Sequence, residues 1–252
     1  MPLERFESLR DKVRQDPVVF AEAVLGFHAF PYQAELLRSQ SKRIVACWAR
    51  QTGKTTAIAV KVIHFASTNA KTTTLIVSRG LRQSMIMFSA IENLIKTHPM
   101  LRKSVVKATR TLIQLRNGSQ IIALPCGPDG ASLRGHTADL IVMDEAAFMP
   151  EEVIASVIFP MLATTNGTAI MLSTPWGRDH IFYRSFKNPN YWSQHIKAEE
   201  CPRISKEFLE EQKRDIGELR YKMEYEAEFV EDENSFFKQD LIRECVEDYD
   251  PI

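Results

Sequence analysis

Gly53-Lys54-Thr55-Thr56 is a set of residues able to hold a polyphosphate. A lysine gives a point charge to β- and γ-phosphates, and a threonine hydroxyl such as that of Thr55 can ligand Mg²⁺. Ninety residues later Asp144-Glu145 follows the apolar run Leu140-Ile-Val-Met143. The first acid of such a pair can support a metal shell, while the second orients and deprotonates an attacking water. Ser173-Thr174 follows a third apolar run, Thr168–Leu172, and its hydroxyls could sense a terminal phosphate from beside the acids. The chemistry these groups share is phosphoryl transfer to water.

Such groups need elements that hold them together. Ile44-Val-Ala-Cys47 reads as a short buried strand, and Thr55 to Ala66 carries Ala, Ile and Val at helical spacing. A strand, a tight turn and a helix N-terminus make an anion cradle, because the first-turn N–H groups are unpaired and the helix dipole points its positive end there. The acid-ended and hydroxyl-ended runs read as parallel strands, and ligands of open α/β sheets sit at that carboxyl edge. The usual phosphate-loop pattern has glycine six residues before the lysine, where this chain has Trp48. Alone, the tripeptide could equally be a solvated helix start, and the acid pair a solvated turn. Their coupling is what favours nucleotide chemistry.

About twenty residues before the loop stands Phe30-Pro-Tyr-Gln33. The Gln33 amide can donate to and accept from a base edge while Tyr32 or Phe30 stacks or supports it. The plainer alternative is a helix entry with a buried aromatic. Further strands are expected at Thr72–Ser78 and Trp192–Ile196. A hairpin of Thr111–Leu115 with Gln120–Leu124 is signalled by Asn117-Gly118. Helices are expected at Ala34–Ser39, Leu81–Lys96, Glu151–Phe159 and Arg178–Phe186, after a helical lead-in over residues 1–28. Arg134 lies on a glycine-flanked loop ahead of the acidic strand, where it could reach a phosphate in its own site or in a neighbouring subunit's.

The formal charge balances at 32 basic against 32 acidic residues, yet it is split along the chain. Residues 1–150 carry 20 Lys/Arg against 11 Asp/Glu, and residues 151–252 carry 12 against 21. A polyanion partner for the first half follows, as does a possible head-to-tail contact between copies. Lys107, Arg110 and Arg116, on the hairpin and its approach, are candidates for backbone phosphates of DNA, or else a solvated, charge-protected edge. Apolar runs are too short for a membrane span. Four scattered cysteines suggest neither zinc nor disulfides and fit a reducing cytosol. From Glu199 the chain turns acid-rich, with helices expected at Ser205–Asp215, Glu218–Phe229 and Phe236–Val246. The expected division is a core over 1–198 and an acidic helical subdomain over 199–252.

Taken in order, Tyr32-Gln33, Arg50-Gln-Thr-Gly-Lys-Thr55, Leu133-Arg-Gly135, Met143-Asp-Glu-Ala-Ala147 and Ser173-Thr-Pro175 resemble the ATPase domain of the large terminase subunit, the DNA-packaging motor of tailed bacteriophages. In that family an Arg-Gln pair replaces the first glycine of the loop. The resemblance implies an ASCE-type P-loop NTPase fold, a mostly parallel sheet flanked by helices, with a small helical C-terminal subdomain. It implies ATP and Mg²⁺ as cofactors. Tyr32 and Gln33 would serve adenine; Gln51, Thr52, Gly53, Lys54, Thr55 and Thr56 would form the phosphate cradle. Asp144 would support the metal with Thr55, Glu145 would activate water, and Ser173-Thr174 would couple hydrolysis to movement. Arg50 matches a loop arginine at the γ-phosphate, and Arg134 an arginine finger acting across a ring; which of them is the finger stays open.

Implied partners are double-stranded DNA, the portal protein and the small terminase subunit. The implied assembly is a ring of copies, a pentamer by family, or a monomer in isolation. The implied place is the procapsid portal vertex in the host cytoplasm. Full-length members continue into a nuclease domain at about Ile252, so no nuclease activity is expected of these residues, and Glu244, Glu247 and Asp248 read as a linker. Two rivals are a helicase-like translocase and a non-catalytic nucleic-acid-binding module.

Overall fold

Apolar and β-branched runs become eight strands in the computed structural model, which describes residues 3–230. The strands are β1 (Arg43–Trp48), β2 (Thr73–Ser78), β3 (Val105–Ala108), β4 (Leu112–Leu115), β5 (Gln120–Pro125), β6 (Leu140–Asp144), β7 (Thr168–Ser173) and β8 (Trp192–Ile196). They form one sheet in the order β3-β4-β5-β2-β6-β7-β1-β8. Every pair from β5 to β8 is parallel, and the two antiparallel pairs, β3–β4 and β4–β5, lie at one edge. This is the expected mostly parallel α/β architecture.

Burial on both faces explains why the central strands read as unbroken apolar runs. Along β1, Ile44, Ala46 and Trp48 enter the core on one face, and Val45 and Cys47 enter the core on the other. The first face is covered by helices Pro17–Leu25, Pro31–Arg38, Lys54–Thr68 and Leu81–Thr97. The second is covered by the 146–162 segment, helix Ile181–Lys187 and residues of the C-terminal pair Lys206–Asp215 and Glu218–Tyr225.

The β4–β5 hairpin turns through Asn117-Gly118, with Gly118 at φ +84°. The Asn117 side chain then donates to Ala66 O at 2.7 Å, which docks the turn on the end of the Lys54–Thr68 helix.

Three expectations differ. The lead-in is two helices, Leu3–Gln15 and Pro17–Leu25, because Asp16 accepts from Val18 N at 2.8 Å and caps a new start. A short helix, Pro99–Ser104, follows the expected stop at His98, since proline at a first helical position is already shaped for a helix. The expected helix over 151–159 is a single α-turn, Glu151–Val153, then a π-turn, Ile154–Ile158, then a 3₁₀ turn, Phe159–Leu162. Pro160 lacks an N–H and would strike the carbonyl four residues back in a regular helix, and the widened turn avoids both problems. Helix 236–246 and the acids Glu244, Glu247 and Asp248 lie outside the described residues.

The order places β7 between the loop-bearing β1 and the acid-bearing β6. Neighbouring strands stand about 4.8 Å apart, so loop and acids are separated by roughly 10 Å, room for a phosphate and a water. In register, Ser173 pairs with Cys47 and Leu172 with Asp144, so all three strand ends open on the same edge.

Candidate nucleotide site

The turn after β1 closes on itself. The Thr52 hydroxyl donates to Ala49 O at 2.8 Å, and Ala57 N–H makes the first helical bond, to Gly53 O at 3.1 Å. The N–H groups of Lys54, Thr55 and Thr56 precede that bond and are therefore open to a ligand. Gly53 has φ +82°, and a Cβ there would come within 2.5 Å of Gln33 Nε2. Gln51 also takes a left-handed backbone, at φ +60°, so the loop bends at two points without the missing glycine. Trp48 does not obstruct it. Its ring is fully buried between β1 and the helices Pro31–Arg38 and Lys54–Thr68, edge-on to Tyr32 at 5.1 Å, with Nε1 donating to Gln194 Oε1 at 3.1 Å.

Lys54 Nζ donates back to Trp48 O at 2.7 Å and Ala49 O at 3.1 Å. Burial pulls its pKa below the ordinary lysine value, while the charges of Glu145 and then Asp144 pull it up. Asp144 is raised to about 6 by burial first and by Glu145 second, with Lys54 opposing. The three groups therefore share one field. Glu145 stands in the left-handed region at φ +55° and its N–H meets Asp144 Oδ1 at 3.2 Å. This kink ends β6 and turns the second acid toward β7, where Ser173 Oγ donates to Glu145 Oε2 at 3.4 Å. Ser173 and Thr174 are both buried.

Burial and the neighbouring Glu145 disfavour the ionised Asp144 carboxylate more than Lys54 favours it, and a bound cation would favour the ionised form further. The Thr55 hydroxyl, half-buried on the first helical turn, makes no hydrogen bond to a described residue and is available as a second ligand. One carboxylate, one hydroxyl and phosphate oxygens are a donor set suited to Mg²⁺, which keeps several waters. Among the described residues no cluster of three or more His, Cys, Asp or Glu forms an all-protein metal cage.

The Phe30–Gln33 element reaches the loop from the other side. Tyr32 is buried and its hydroxyl donates to Thr52 O at 2.9 Å. Gln33 Oε1 accepts from Phe30 N at 3.0 Å, and Gln33 Nε2 lies 3.4 Å from Thr52 O. Phe30, Gln51, Thr52, Gly53, Thr56 and Arg203 border a cavity of about 30 Å³ beside the loop.

Arg50 is held from a distance. Its Nε pairs with Glu224 Oε2 at 2.6 Å, and its main-chain N–H donates to Glu224 O at 2.9 Å. Arg134 is exposed, just after the 3₁₀ turn Ala131–Leu133, and makes no ion pair with a described residue. Lys107, Arg110 and Arg116 are exposed at the β3 edge, far across the sheet order from β1. The structure thus brings Gln33, Tyr32, the loop, Asp144, Glu145 and Ser173 together, and leaves Arg134 and the three edge cations apart. Glu224 and Arg203 go unremarked in the sequence reading. Nothing in their spacing separates them from the other charges of an acid-rich stretch.

This arrangement of strand, loop, helix and acid-ended strand defines a P-loop NTPase. The family described as "Terminase large subunit, T4likevirus-type, N-terminal" matches residues 46–244, and the chain belongs to it. The large terminase subunit of Thermus virus P23-45 is 27% identical, over 85% of this chain and 51% of its own length. That of Escherichia phage T5 is 29% identical, over 77% of this chain and 45% of its own. The chain spans about half the length of the curated relatives it matches. Among solved structures, the large terminase ATPase domain of Thermus phage P74-26 is similar with a TM-score of 0.75 at 24% identity, covering 85% of this chain and 99% of that one. The large terminase of a thermophilic bacteriophage in complex with ADP is similar with a TM-score of 0.65 at 16% identity, covering 79% and 53%. Among the described residues no helix is long and apolar enough to cross a membrane.

Proposed function

We propose that the chain hydrolyses ATP and uses the cycle to drive double-stranded DNA into a procapsid, as the motor part of a terminase large subunit. The observation that carries this reading is the convergence of Lys54, Asp144 and Glu145 at the mouth of one loop, with the Ser173 hydroxyl on Glu145. Membership of the terminase family supports it.

In this reading Lys54 exchanges the Trp48 and Ala49 carbonyls for β- and γ-phosphate oxygens, and the N–H groups of Gly53 to Thr56 cradle the same phosphates. Glu145 accepts a proton as water attacks the γ-phosphorus in line; the bond to the bridging oxygen breaks and ADP leaves with the electron pair. Mg²⁺, held by Thr55 and Asp144, would neutralise charge on the phosphate oxygens. Gln33, supported by Tyr32, turns its amide to the adenine edge. Ser173-Thr174 relays the state of Glu145 to the sheet.

Arg50 reaches the γ-phosphate by leaving Glu224, and the exposed Arg134 serves the site of a neighbouring copy in a ring. Lys107, Arg110 and Arg116 take DNA phosphates. The chain divides at about residue 198 into this core and an acidic helical part. Portal protein and small terminase subunit are its partners, at the portal vertex in the host cell.

Mixing separates the arginine roles. Arg134→Ala alone is expected to lower assembled turnover by about 10³-fold or more. Adding Glu145→Ala, which keeps Arg134, restores phosphate release. No rescue at any ratio would place the finger in the same subunit or nowhere.

A further inference from the structure

The segment between the 3₁₀ turn Ala198–Glu200 and the helix Lys206–Asp215 passes over the nucleotide loop. It is anchored there by Cys201, whose thiol lies 3.9 Å from Gln51 O. Two residues on, the Arg203 guanidinium lies over the Phe30 ring, with Cζ 5.5 Å from its centroid. Both residues border the small cavity whose remaining wall includes the loop residues Gln51, Thr52, Gly53 and Thr56. Tyr32, the other aromatic of the element, does not border it and is committed beneath the loop through its bond to Thr52 O.

We propose that Arg203 is the second wall of a nucleobase slot, stacking its guanidinium on the face of the base opposite Phe30. This rests on the nucleotide reading above and adds a binding residue to it. A planar guanidinium and an aromatic ring are two surfaces on which a base can stack, and they already face each other here. At about 30 Å³ the cavity has room for little more than a water, so the slot is shut.

Two stacking contacts of about 3.5 Å each need roughly 7 Å between the Phe30 ring and the guanidinium, more than the 5.5 Å from Cζ to the ring centroid, so Arg203 must rise from the ring to admit a base. Arg203 is exposed, on an irregular stretch, and makes no ion pair with a described residue, so little opposes that rise. The base then replaces the Phe30–Arg203 contact with one contact on each side. Lys at this position would keep the charge and lose the plane.

The test compares ATP with inorganic tripolyphosphate, which has the charge and no base. Binding is titrated with Mg²⁺ for the 252-residue chain as wild type, Arg203→Ala and Arg203→Lys, with thermal melting as a check of folding. Arg203→Ala is expected to weaken ATP about tenfold and to leave tripolyphosphate within about twofold. Arg203→Lys is expected to weaken ATP several-fold as well. Equal weakening of both ligands would make Arg203 a phosphate partner and overturn the proposal, as would unchanged ATP binding in Arg203→Ala. Wild type that binds neither ligand would remove the nucleotide reading itself.

Discussion

Lys54 and Lys61 stand about two turns apart on one helix, and both are half-buried lysines bonded to main-chain carbonyls. Lys61 Nζ donates to Leu36 O, Leu37 O and Ser39 O at 3.1, 2.9 and 2.8 Å, the loose end of the Pro31–Arg38 helix. Its pKa is lowered to about 8 by burial, with no other cause. Lys54 has two carbonyls and, besides them, the charges of Glu145 and Asp144. Lys61 is a helix cap whose partners are all fixed backbone. Lys54 sits among groups that a ligand can rebalance. Residue type, helix and burial are alike, so what sets Lys54 apart, and supports the chemical role proposed for it, is the neighbouring carboxylate pair.

That contrast can be broken by substitution. Lys54→Ala and Glu145→Ala should each lower ATP turnover by about 10²–10⁴ in a phosphate-release assay, and Glu145→Ala should still bind ATP. Near-normal turnover in either would make Lys54 no more chemical than Lys61. Lys61→Met keeps the apolar stem and removes the three bonds, and should cost about 2 kcal/mol of folding stability by denaturant titration. Its turnover below the melting range should stay within about threefold of wild type. A collapse of turnover in the still-folded variant would erase the distinction from the other side. The smallest effects belong to cations with no such setting. Ala at Lys107, Arg110 or Arg116 should each reduce the salt dependence of DNA binding by about one unit of slope, with turnover unaltered. An unchanged slope in all three would make that edge a solvated one.

Much of this was legible in the chain because it is local. The central strands read as apolar runs since both faces are covered, and Asn117-Gly118 marks a turn by backbone chemistry alone. Lys54, Asp144, Glu145 and Ser173 each close or open such an element, so their meeting at one sheet edge follows from strand direction. The Pro99–Ser104 helix is too short to show a period, and the widened turn before Pro160 needs knowledge of how its carbonyls are accommodated. Glu224 and Arg203 are beyond reach for a different reason. Their partners, Arg50 and Phe30, lie more than 170 residues away, and no local pattern encodes such a contact.

The bond from Arg50 N–H to Glu224 O, doubled by the ion pair of the same two residues, ties the nucleotide turn to the last described helix. Coupling of this kind is reciprocal in free energy: whatever the nucleotide does to that attachment, the attachment does in equal measure to the nucleotide's affinity. If the chain is the motor proposed above, a load that drags the helix away would thus be felt as a weaker grip on the nucleotide. A tighter grip would in turn resist the load.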